Sequence, residues 1–520
     1  MTRQTGTLSL DRRALLGGAA GALLAPGVRA QRANDVLTFI EGSDFDTLDP
    51  AISRTRSAEI LFYVMFNRLV RWTDTSLSAI GPDLAESWTI SDDKLNWTFR
   101  LREGVRFHDG TTADAEAVKF CIDRLRDPAF GSPNRSLYTA ITAVTVVDPR
   151  TIRFTTEQPH AGLLENLAES SASISSPTAI RRHGRNYGRN PVGSGPYKLE
   201  EWAPGERTVL ARAVPSARFR QIIYRPVPEG EARLIELEAG TADIATGIPP
   251  EATARVRANP RLKLEVIPSS FQVFFELNCA RPPFNDVRVR RAIQFAIDRE
   301  AIVQRILGGF GTVPDSFVAP GVQSYESIGK HPYDPDRAKR EIAAVFPGGF
   351  SEKIVMWTSS GRYLKDQQVA EAVQGYLNAI GLQTEFRAWE WASYQQTLYR
   401  RTPNVPGTGY GTNAAHMWVL GTSIPTADWR LSRRYQTGQS ANILGYSDPR
   451  VDDLLNRARV TLDPAARLDL YHQANRLLWQ DNPPNIPLYN QSQIIAMQRG
   501  ISNFNAFAFE IPLLGEVSKS

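Results

Sequence analysis

The chain has 520 residues, with 60 lysines and arginines against 55 aspartates and glutamates, and a net charge of +5. The excess of positive charge is small, and the basic residues are interspersed with acidic ones. This argues against a protein that binds nucleic acid or another polyanion. About 490 residues remain behind an N-terminal leader, and that length is too great for one hydrophobic core.

The first 30 residues have the pattern of a signal peptide. Asp11-Arg12-Arg13 precedes an apolar run over residues 14–26, and Val28-Arg29-Ala30 offers a small-residue cleavage site near Ala30. The arginine pair favours the twin-arginine export route, with an ordinary Sec leader as the alternative. The apolar run is shorter than the roughly 20 residues that span a bilayer. Since no cysteine lies in or just after the leader, we expect a periplasmic chain without a lipid anchor.

The N-terminal half of the chain shows mainly strand patterns. Trp97, Phe99, Leu101, Val105 and Phe107 alternate with polar residues on either side of Glu103-Gly104, which predicts a β-hairpin. The other elements predicted here are a strand at 36–41, a helix over 58–69, a helix opened by Asp114 and stopped by Pro128, and a hairpin over 144–154 that turns at Asp148-Pro149-Arg150.

The C-terminal half alternates helices with strands. Asp286 and Asp298 are predicted N-caps, and three further helices begin with Asp-Pro, where the aspartate caps free N–H groups and the proline already has a helical φ. These pairs are Asp334-Pro335, Asp448-Pro449 and Asp463-Pro464, and strands are predicted at 271–277, 353–357 and 383–389. Mixed order of this kind predicts α/β lobes.

Several sequence blocks then occur in a specific order along the chain. They are DTLDP (46–50), GPDLAESW (81–88), TFRLREGVRFHDG (98–110), NPVGSGPY (190–197), LEAGTADI (237–244), PFNDVRVRRAIQFAID (283–298), YSDPRVDDLL (446–455) and NPPNIPL (482–488). Together they resemble the family 5 extracytoplasmic solute-binding proteins, the peptide- and nickel-binding subunits of ABC importers.

The resemblance implies an α/β fold of the bilobal type II periplasmic binding protein class, with an extra N-terminal subdomain and two lobes joined by a two-strand hinge. Lobe I is expected to hold residues 31–57, 190–271 and 492–520, and the extra subdomain residues 58–189. Lobe II is expected to hold residues 272–491. The function it implies is capture of a small solute, with a short peptide as the leading class, and delivery to an ABC permease and its ATPase by a monomeric protein.

The sequence contains few patterns that are typical of enzymes. HExxH, GxSxG and P-loop patterns are absent, and the SxxK match at Ser327–Lys330 lacks the partner motifs of its enzyme class. We therefore predict a protein that is not an enzyme and uses neither cofactor nor metal. Two alternatives stay open, a binding module for a sensor or chaperone and, more remotely, a periplasmic hydrolase.

Two regions are predicted to line the ligand cleft. The first is the loop after the first strand, with Ser43, Asp44 and Phe45, which meets the cleft in the family that the chain resembles. The second is an aromatic-rich stretch of lobe II, because aromatic side chains commonly line ligand pockets. Its candidate residues are Trp389, Tyr410, Trp418, Asp428 and Trp429.

Several of the candidate residues have two interpretations. The resemblance implies that Asp428 pairs with a peptide amino group, whereas the local pattern equally allows it to cap a helix that starts at Trp429. His416 contacts either a metal chelate or the protein interior. Arg430, Arg433 and Arg434 hold a carboxylate or form a solvated helix face. Cys121 and Cys279 are expected to be buried free thiols, with a disulfide as the alternative.

Overall fold

The computed structural model describes residues 35–53, 55–360, 362–398, 415–422, 426–439 and 441–520. Its strands are β1 Val36–Glu41, β2 Val70–Trp72, β3 Ile80–Pro82, β4 Ala85–Ile90, β5 Asn96–Leu101, β6 Ile141–Asp148, β7 Thr151–Thr156, β8 Tyr197–Ala203, β9 Arg207–Arg212, β10 Gln221–Pro226, β11 Ile244–Thr246, β12 Leu262–Leu277, β13 Gly311–Thr312, β14 Ile354–Ser360, β15 Thr384–Glu390, β16 Met417–Thr422, β17 Asn485–Gln498, β18 Ile501–Ser502 and β19 Ser518–Lys519.

The α-helices alternate with these strands. They are α1 Arg56–Met65, α2 Ala115–Arg126, α3 Leu163–Ala168, α4 Pro177–His183, α5 Gly230–Ala239, α6 Thr253–Ala258, α7 Val287–Ala296, α8 Arg299–Ala301, α9 Pro335–Val345, α10 Asp366–Ala379, α11 Trp391–Leu398, α12 Arg433–Tyr435, α13 Pro449–Val460 and α14 Pro464–Arg476. None of the helices in the described ranges is long and apolar enough to cross a membrane.

One large sheet runs through the molecule, in the order β15-β14-β16-β12-β17-β11-β1-β10-β9-β8, with β13 added to β17. The antiparallel strands β12 and β17 are long, and each takes part in both halves of this sheet. Residues 262–268 of β12 pair with 492–498 of β17, beside β11 and β1, whereas residues 272–276 pair with 485–490, beside β16. The register breaks between these two stretches. The two strands therefore join two halves of the molecule.

Hydrogen bonds hold the chain at this break. Ser269 donates its hydroxyl to the Gln491 carbonyl oxygen at 2.6 Å, and the Ser270 N–H donates to the Ala508 carbonyl oxygen at 2.7 Å. The sequence-based boundaries at 271/272 and 491/492 fall beside this break and remain a proposal.

Two large hydrophobic cores lie on either side of the break. The first core includes residues of α1, β5, α2, β7, β10 and the C-terminal segment, and the second includes residues of β12, α7, β14, α10, β16, α13 and α14. We call the elements around the first core lobe I and those around the second core lobe II. This two-lobed arrangement on two shared strands confirms the predicted α/β architecture.

The helix N-termini form where the capping residues predict. Asp286, Asp298, Asp334, Asp448 and Asp463 each accept a hydrogen bond from a backbone N–H of the helix that follows. The predicted hairpin over 144–154 is formed by β6 and β7, and these strands belong to a separate four-stranded sheet in the order β4-β5-β7-β6.

The first predicted hairpin is wrong in its second arm. Trp97, Phe99 and Leu101 lie in β5, but β5 pairs with β4 and β7 rather than with residues 105–107. The Val105–Phe107 segment makes only an isolated bridge, between Arg106 and Thr112. Its apolar side chains still pack against the first core, so burial alone accounts for the alternation there.

The N-cap of α2 gives a direct stability test. Asp114 accepts from the Ala117 N–H at 3.0 Å. Asp114→Ala should lower the free energy of unfolding by about 1 kcal/mol, because one helix N–H loses its partner. Denaturant unfolding measures this, with Asp92→Ala at an exposed turn as the control and Asp114→Asn as a variant that keeps a capping oxygen. Equal stability of the Asp114 and Asp92 alanine variants would contradict the assignment.

The two cysteines lie apart as free thiols, as predicted. Cys121 is buried in α2, within the first core, and its Sγ donates to the Ser175 carbonyl oxygen at 3.3 Å. Cys279 is only partly buried and packs against the second core. Burial raises the pKa of Cys121 to about 12 and that of Cys279 to about 11.

Candidate ligand-binding cleft

One face of α1 carries charged and aromatic side chains. Arg56, Glu59 and Tyr63 are half-buried, whereas most of the other residues of the helix are buried. Their spacing of three and four residues places them on a single stripe. Arg56 lies between Glu41 and Glu510, at 3.8 and 3.7 Å, and also donates to the Glu510 carbonyl oxygen. The helix thus carries a half-buried stripe of charged and aromatic side chains.

Two glutamates and one arginine extend this face. The Glu59 carboxylate accepts a hydrogen bond from the Ser170 hydroxyl, and Glu169 follows directly after α3. The Arg68 guanidinium stacks 4.2 Å from the centre of the Tyr63 ring and is only 3% exposed. Burial, and then repulsion from Glu59, raise the pKa of Glu169 to about 8, while Arg68 and Arg433 act in the opposite direction.

In lobe II, the short π-helix Asp428–Ser432 is followed directly by α12. Arg433 lies 4.4 Å from the centre of the Trp429 ring, and both side chains are half-buried. Of the charges that act on the pKa of Arg433, that of Glu169 in lobe I is the strongest. The charges of this arginine and this glutamate therefore act on each other across the lobe boundary.

A second cationic group stands at the end of β14. The Arg362 guanidinium lies 5.3 to 5.4 Å from the ring centres of Phe271, Tyr363 and Trp391. Phe271 belongs to β12 at the break in its register. An arginine among aromatic faces, and next to the hinge strands, is suited to contact an anionic or aromatic group.

An ion pair and two hydrogen bonds join the two lobes on one side, and we call these contacts the clasp. Glu165 of α3 pairs with Arg467 of α14 at 2.9 Å, and their side chains are only 16% and 17% exposed. Arg467 also donates to the Ala161 carbonyl oxygen at 2.7 Å, and the Ala161 N–H donates to the Arg459 carbonyl oxygen at 2.8 Å. The cavity beside this clasp measures about 40 Å³, which is room for a few water molecules.

The predicted loop Ser43–Phe45 is fixed onto lobe I. Phe45 is 6% exposed and packs on Trp202 and Tyr224, with ring centres at 4.7 and 5.6 Å. Asp44 accepts from the Gly205 N–H at 2.7 Å, and the Ser43 side chain is exposed. Within the described residues, no hydrogen bond or ring contact joins this loop to Asp428 or Trp429.

The predicted aromatic residues divide into different environments. Trp418 is 0% exposed and its indole N–H donates to the buried Glu276 at 2.7 Å, so it belongs to the second core and offers no surface to a ligand in this conformation. Trp389 packs 5.3 Å from Trp357 and is half-buried. Tyr410 lies outside the described residues.

Asp428 does not act as the alternative helix cap. Ala427 occupies the cap position, and the Oδ1 atom of Asp428 accepts from the Ser432 hydroxyl at 2.6 Å. Its charge acts on the pKa values of His160 and Glu165, on the clasp side of the boundary. Asp428 and Trp429 thus lie at the lobe boundary, and their ligand contacts remain a prediction.

His416, Arg430 and Arg434 have hydrogen-bond or ion-pair partners within the protein. The Nδ1 atom of His416 accepts from the Val355 N–H at 2.9 Å and its Nε2 lies 3.1 Å from Glu352, so both nitrogens are engaged. Arg430 is 2% exposed and donates to Phe317 and Gln272, while Arg434 pairs with Glu276. The interpretation of a solvated helix face is therefore wrong, because this segment packs into the second core.

Sequence reasoning missed the face of α1. Arg56, Glu59 and Tyr63 interrupt an otherwise apolar helix at helical spacing, and that stripe is a usable signal for a face directed at a partner or a cleft. Arg68, Glu169 and Arg362 carry no comparable local signal. Their position depends on contacts between distant parts of the chain.

Comparison with known proteins identifies the family. Residues 79–422 match the model of the bacterial extracellular solute-binding proteins, family 5. The glutathione-binding protein GsiB of Escherichia coli strain K12 is 32% identical over 513 residues, covering 95% of this chain and 96% of that protein.

Solved structures share the fold. The periplasmic binding protein DppA from Helicobacter pylori, in complex with the peptide STSA, gives a TM-score of 0.80 at 24% identity, covering 95% of this chain and 99% of that chain. NikZ from Campylobacter jejuni, in complex with Ni(L-His), gives 0.79 at 21% identity, covering 94% and 100%.

Proposed function

Because the chain belongs to family 5 of the bacterial extracellular solute-binding proteins, we propose that it captures a short peptide between its lobes in the periplasm. Proteins of this family bind small ligands or peptides and work with an ABC permease and ATPase. In this proposal the closed form, loaded with peptide, docks on the permease, and no bond of the peptide is made or broken.

The observation that supports this function is the charged lobe boundary. Half-buried Glu169 on lobe I and half-buried Arg433 on lobe II carry opposite charges at the boundary of two lobes joined by β12 and β17, which suits a zwitterionic solute and a hinge motion. The similarity to a glutathione-binding protein over nearly the whole chain favours a peptide of about that size. We propose that Asp428, Trp429 and Trp389 line this cleft from lobe II and the Ser43–Phe45 loop from lobe I.

Ligand binding should compact and stabilise the protein. We expect reduced glutathione or a tripeptide such as trialanine to raise the melting temperature and to decrease the radius of gyration in X-ray scattering, because the ligand favours the closed native form. Free glycine at the same concentration is the control for nonspecific solute effects. Absence of both changes across a panel of di- to pentapeptides that includes glutathione would refute the proposed function.

A further inference from the structure

A cavity of about 320 Å³ lies in lobe II, between α7 and α9. Arg288, Arg291 and Phe295 of α7 line one side of it, and Arg337 and Glu341 of α9 line another. None of its lining residues is among those described at the lobe boundary. The cavity is therefore a space separate from the proposed peptide cleft, and its volume lies at the lower end of the range for small-molecule sites.

Aromatic rings form the apolar part of its wall. The His331 ring is stacked on the ring of Trp479, with centres 4.5 Å apart, and meets the ring of Phe295 edge-on at 6.2 Å. The Trp479 indole N–H donates to the Gly329 carbonyl oxygen at 2.9 Å. The Asp334 N–H donates to the Phe295 carbonyl oxygen, also at 2.9 Å. These bonds hold the rings in place, so the apolar wall is formed before any ligand binds.

The three arginines at the cavity differ in their pairing. Arg288 pairs with Asp286 at 2.6 Å, and Arg337 pairs with Glu341 at 2.8 Å. Arg291 is exposed and forms no ion pair or side-chain hydrogen bond within the described ranges of the chain. Arg291 is therefore the cation with which a ligand carboxylate can pair without displacing an acid of the protein.

A polar atom of the aromatic wall also has unused hydrogen-bonding capacity. The Nε2 atom of His331 is buried and has no hydrogen-bond partner among the residues that the structure describes. Burial, and then repulsion from Arg299, lower the pKa of His331 to about 3, so the ring is neutral at pH 7. Each nitrogen of a neutral imidazole can donate or accept one hydrogen bond. A ligand group that supplies this bond removes the cost of leaving the nitrogen unsatisfied.

We propose that this cavity is a second binding site, specific for a small aromatic carboxylate. The ligand ring packs against Phe295 and His331, and its carboxylate pairs with Arg291 at the rim. Aromatic packing and a charge-assisted hydrogen bond each favour this class over a neutral or an aliphatic solute. The proposal goes beyond peptide capture and does not depend on it, because the two sites share no residue.

Three probes test the chemical class. Calorimetry on the full chain should compare indole-3-acetate with indole-3-acetamide, which keeps the ring and loses the charge, and with acetate, which keeps the charge and lacks the ring. We expect indole-3-acetate to bind at one site per chain, about tenfold or more tightly than either of the other two. Absence of binding, or an equal affinity for the amide or for acetate, would overturn the proposal.

Two pairs of variants test the location. Ala344→Trp places a large side chain at the lining and should abolish binding, whereas Ala343→Trp, at the neighbouring exposed position outside the lining, should not. Arg291→Gln should weaken binding of indole-3-acetate about tenfold and leave that of the amide unchanged. Arg340→Gln removes an exposed arginine of α9 outside the lining and is its control. Unchanged binding in both Ala344→Trp and Arg291→Gln would overturn the assignment. Thermal unfolding checks the fold of each variant, and the comparison of probes on the unmodified chain stands independently.

Competition separates this site from the cleft. Saturating trialanine or glutathione should change the affinity for indole-3-acetate by less than about twofold, because the sites are distinct. Displacement of indole-3-acetate by either peptide would place it in the peptide cleft and overturn the second site. Binding of indole-3-acetate as expected, together with failure of every peptide, would refute the proposed function alone.

Discussion

Replacing Glu276 with alanine should lower the free energy of unfolding of lobe II by about 3–5 kcal/mol. Glu276 is 0% exposed in the hinge strand β12. It accepts from the Trp418 indole N–H at 2.7 Å and pairs with Arg434 at 2.5 Å. Truncation leaves a buried indole N–H without an acceptor and an arginine without its carboxylate, and both losses occur in the second core.

Calorimetric unfolding measures this effect. Glu265→Ala is the matched control, since Glu265 belongs to the same strand, is exposed and pairs weakly with Lys263 at 3.9 Å. We expect the control to change stability by less than about 0.5 kcal/mol. Glu276→Gln keeps an oxygen that can accept from the indole N–H but loses the charge. Its loss of stability should therefore lie between those of Glu276→Ala and Glu265→Ala. A Glu276→Ala protein as stable as the control would show that the network is not needed for lobe II.

Breaking the clasp should open the protein. Arg467→Ala removes the ion pair to Glu165 and the bond to the Ala161 carbonyl oxygen, both of which cross the lobe boundary. A charge-assisted pair with this little exposure contributes about 1.5–3 kcal/mol. The ratio of closed to open protein should therefore fall by about tenfold or more. The expected result is a larger radius of gyration in X-ray scattering and weaker binding of any peptide that requires closure.

Arg457→Ala provides the comparison for the clasp. Arg457 lies in α13 and pairs with Asp453 at 3.2 Å, but both residues are exposed and lie on the same helix. We expect no change in radius or affinity for this variant, because an exposed pair within one helix contributes little. Identical scattering curves for the Arg467 and Arg457 variants would indicate that the clasp does not influence closure.

Local chemistry made most of the fold predictable. The Asp-Pro pairs at 334, 448 and 463 and the caps at Asp114, Asp286 and Asp298 act through their immediate neighbours, so the sequence alone locates these helix starts. The prediction of the second arm of the first hairpin is wrong for the opposite reason. Alternation at Val105 and Phe107 reports burial, and burial against the first core does not require a paired strand.

The cleft was less predictable than the fold. Trp418 and Trp429 lie in the same aromatic-rich segment of the sequence, yet one is 0% exposed in the core and the other is half-buried at the lobe boundary. Composition cannot distinguish them, because the difference depends on how β16, which holds Trp418, and the π-helix Asp428–Ser432, which holds Trp429, pack in the folded protein. Glu169 and Arg433 are far apart in sequence and come together only when both lobes have folded and closed.

The positions of the two cysteines have a consequence for the redox chemistry of the protein. Disulfide exchange needs a thiolate, and with pKa values of about 12 and 11 the sulfurs of Cys121 and Cys279 are almost entirely protonated at neutral pH. Cys121 is buried in the first core, and Cys279 is partly buried against the second core. Both sulfurs are therefore weak nucleophiles at neutral pH, and we expect neither to exchange readily with a disulfide in solution.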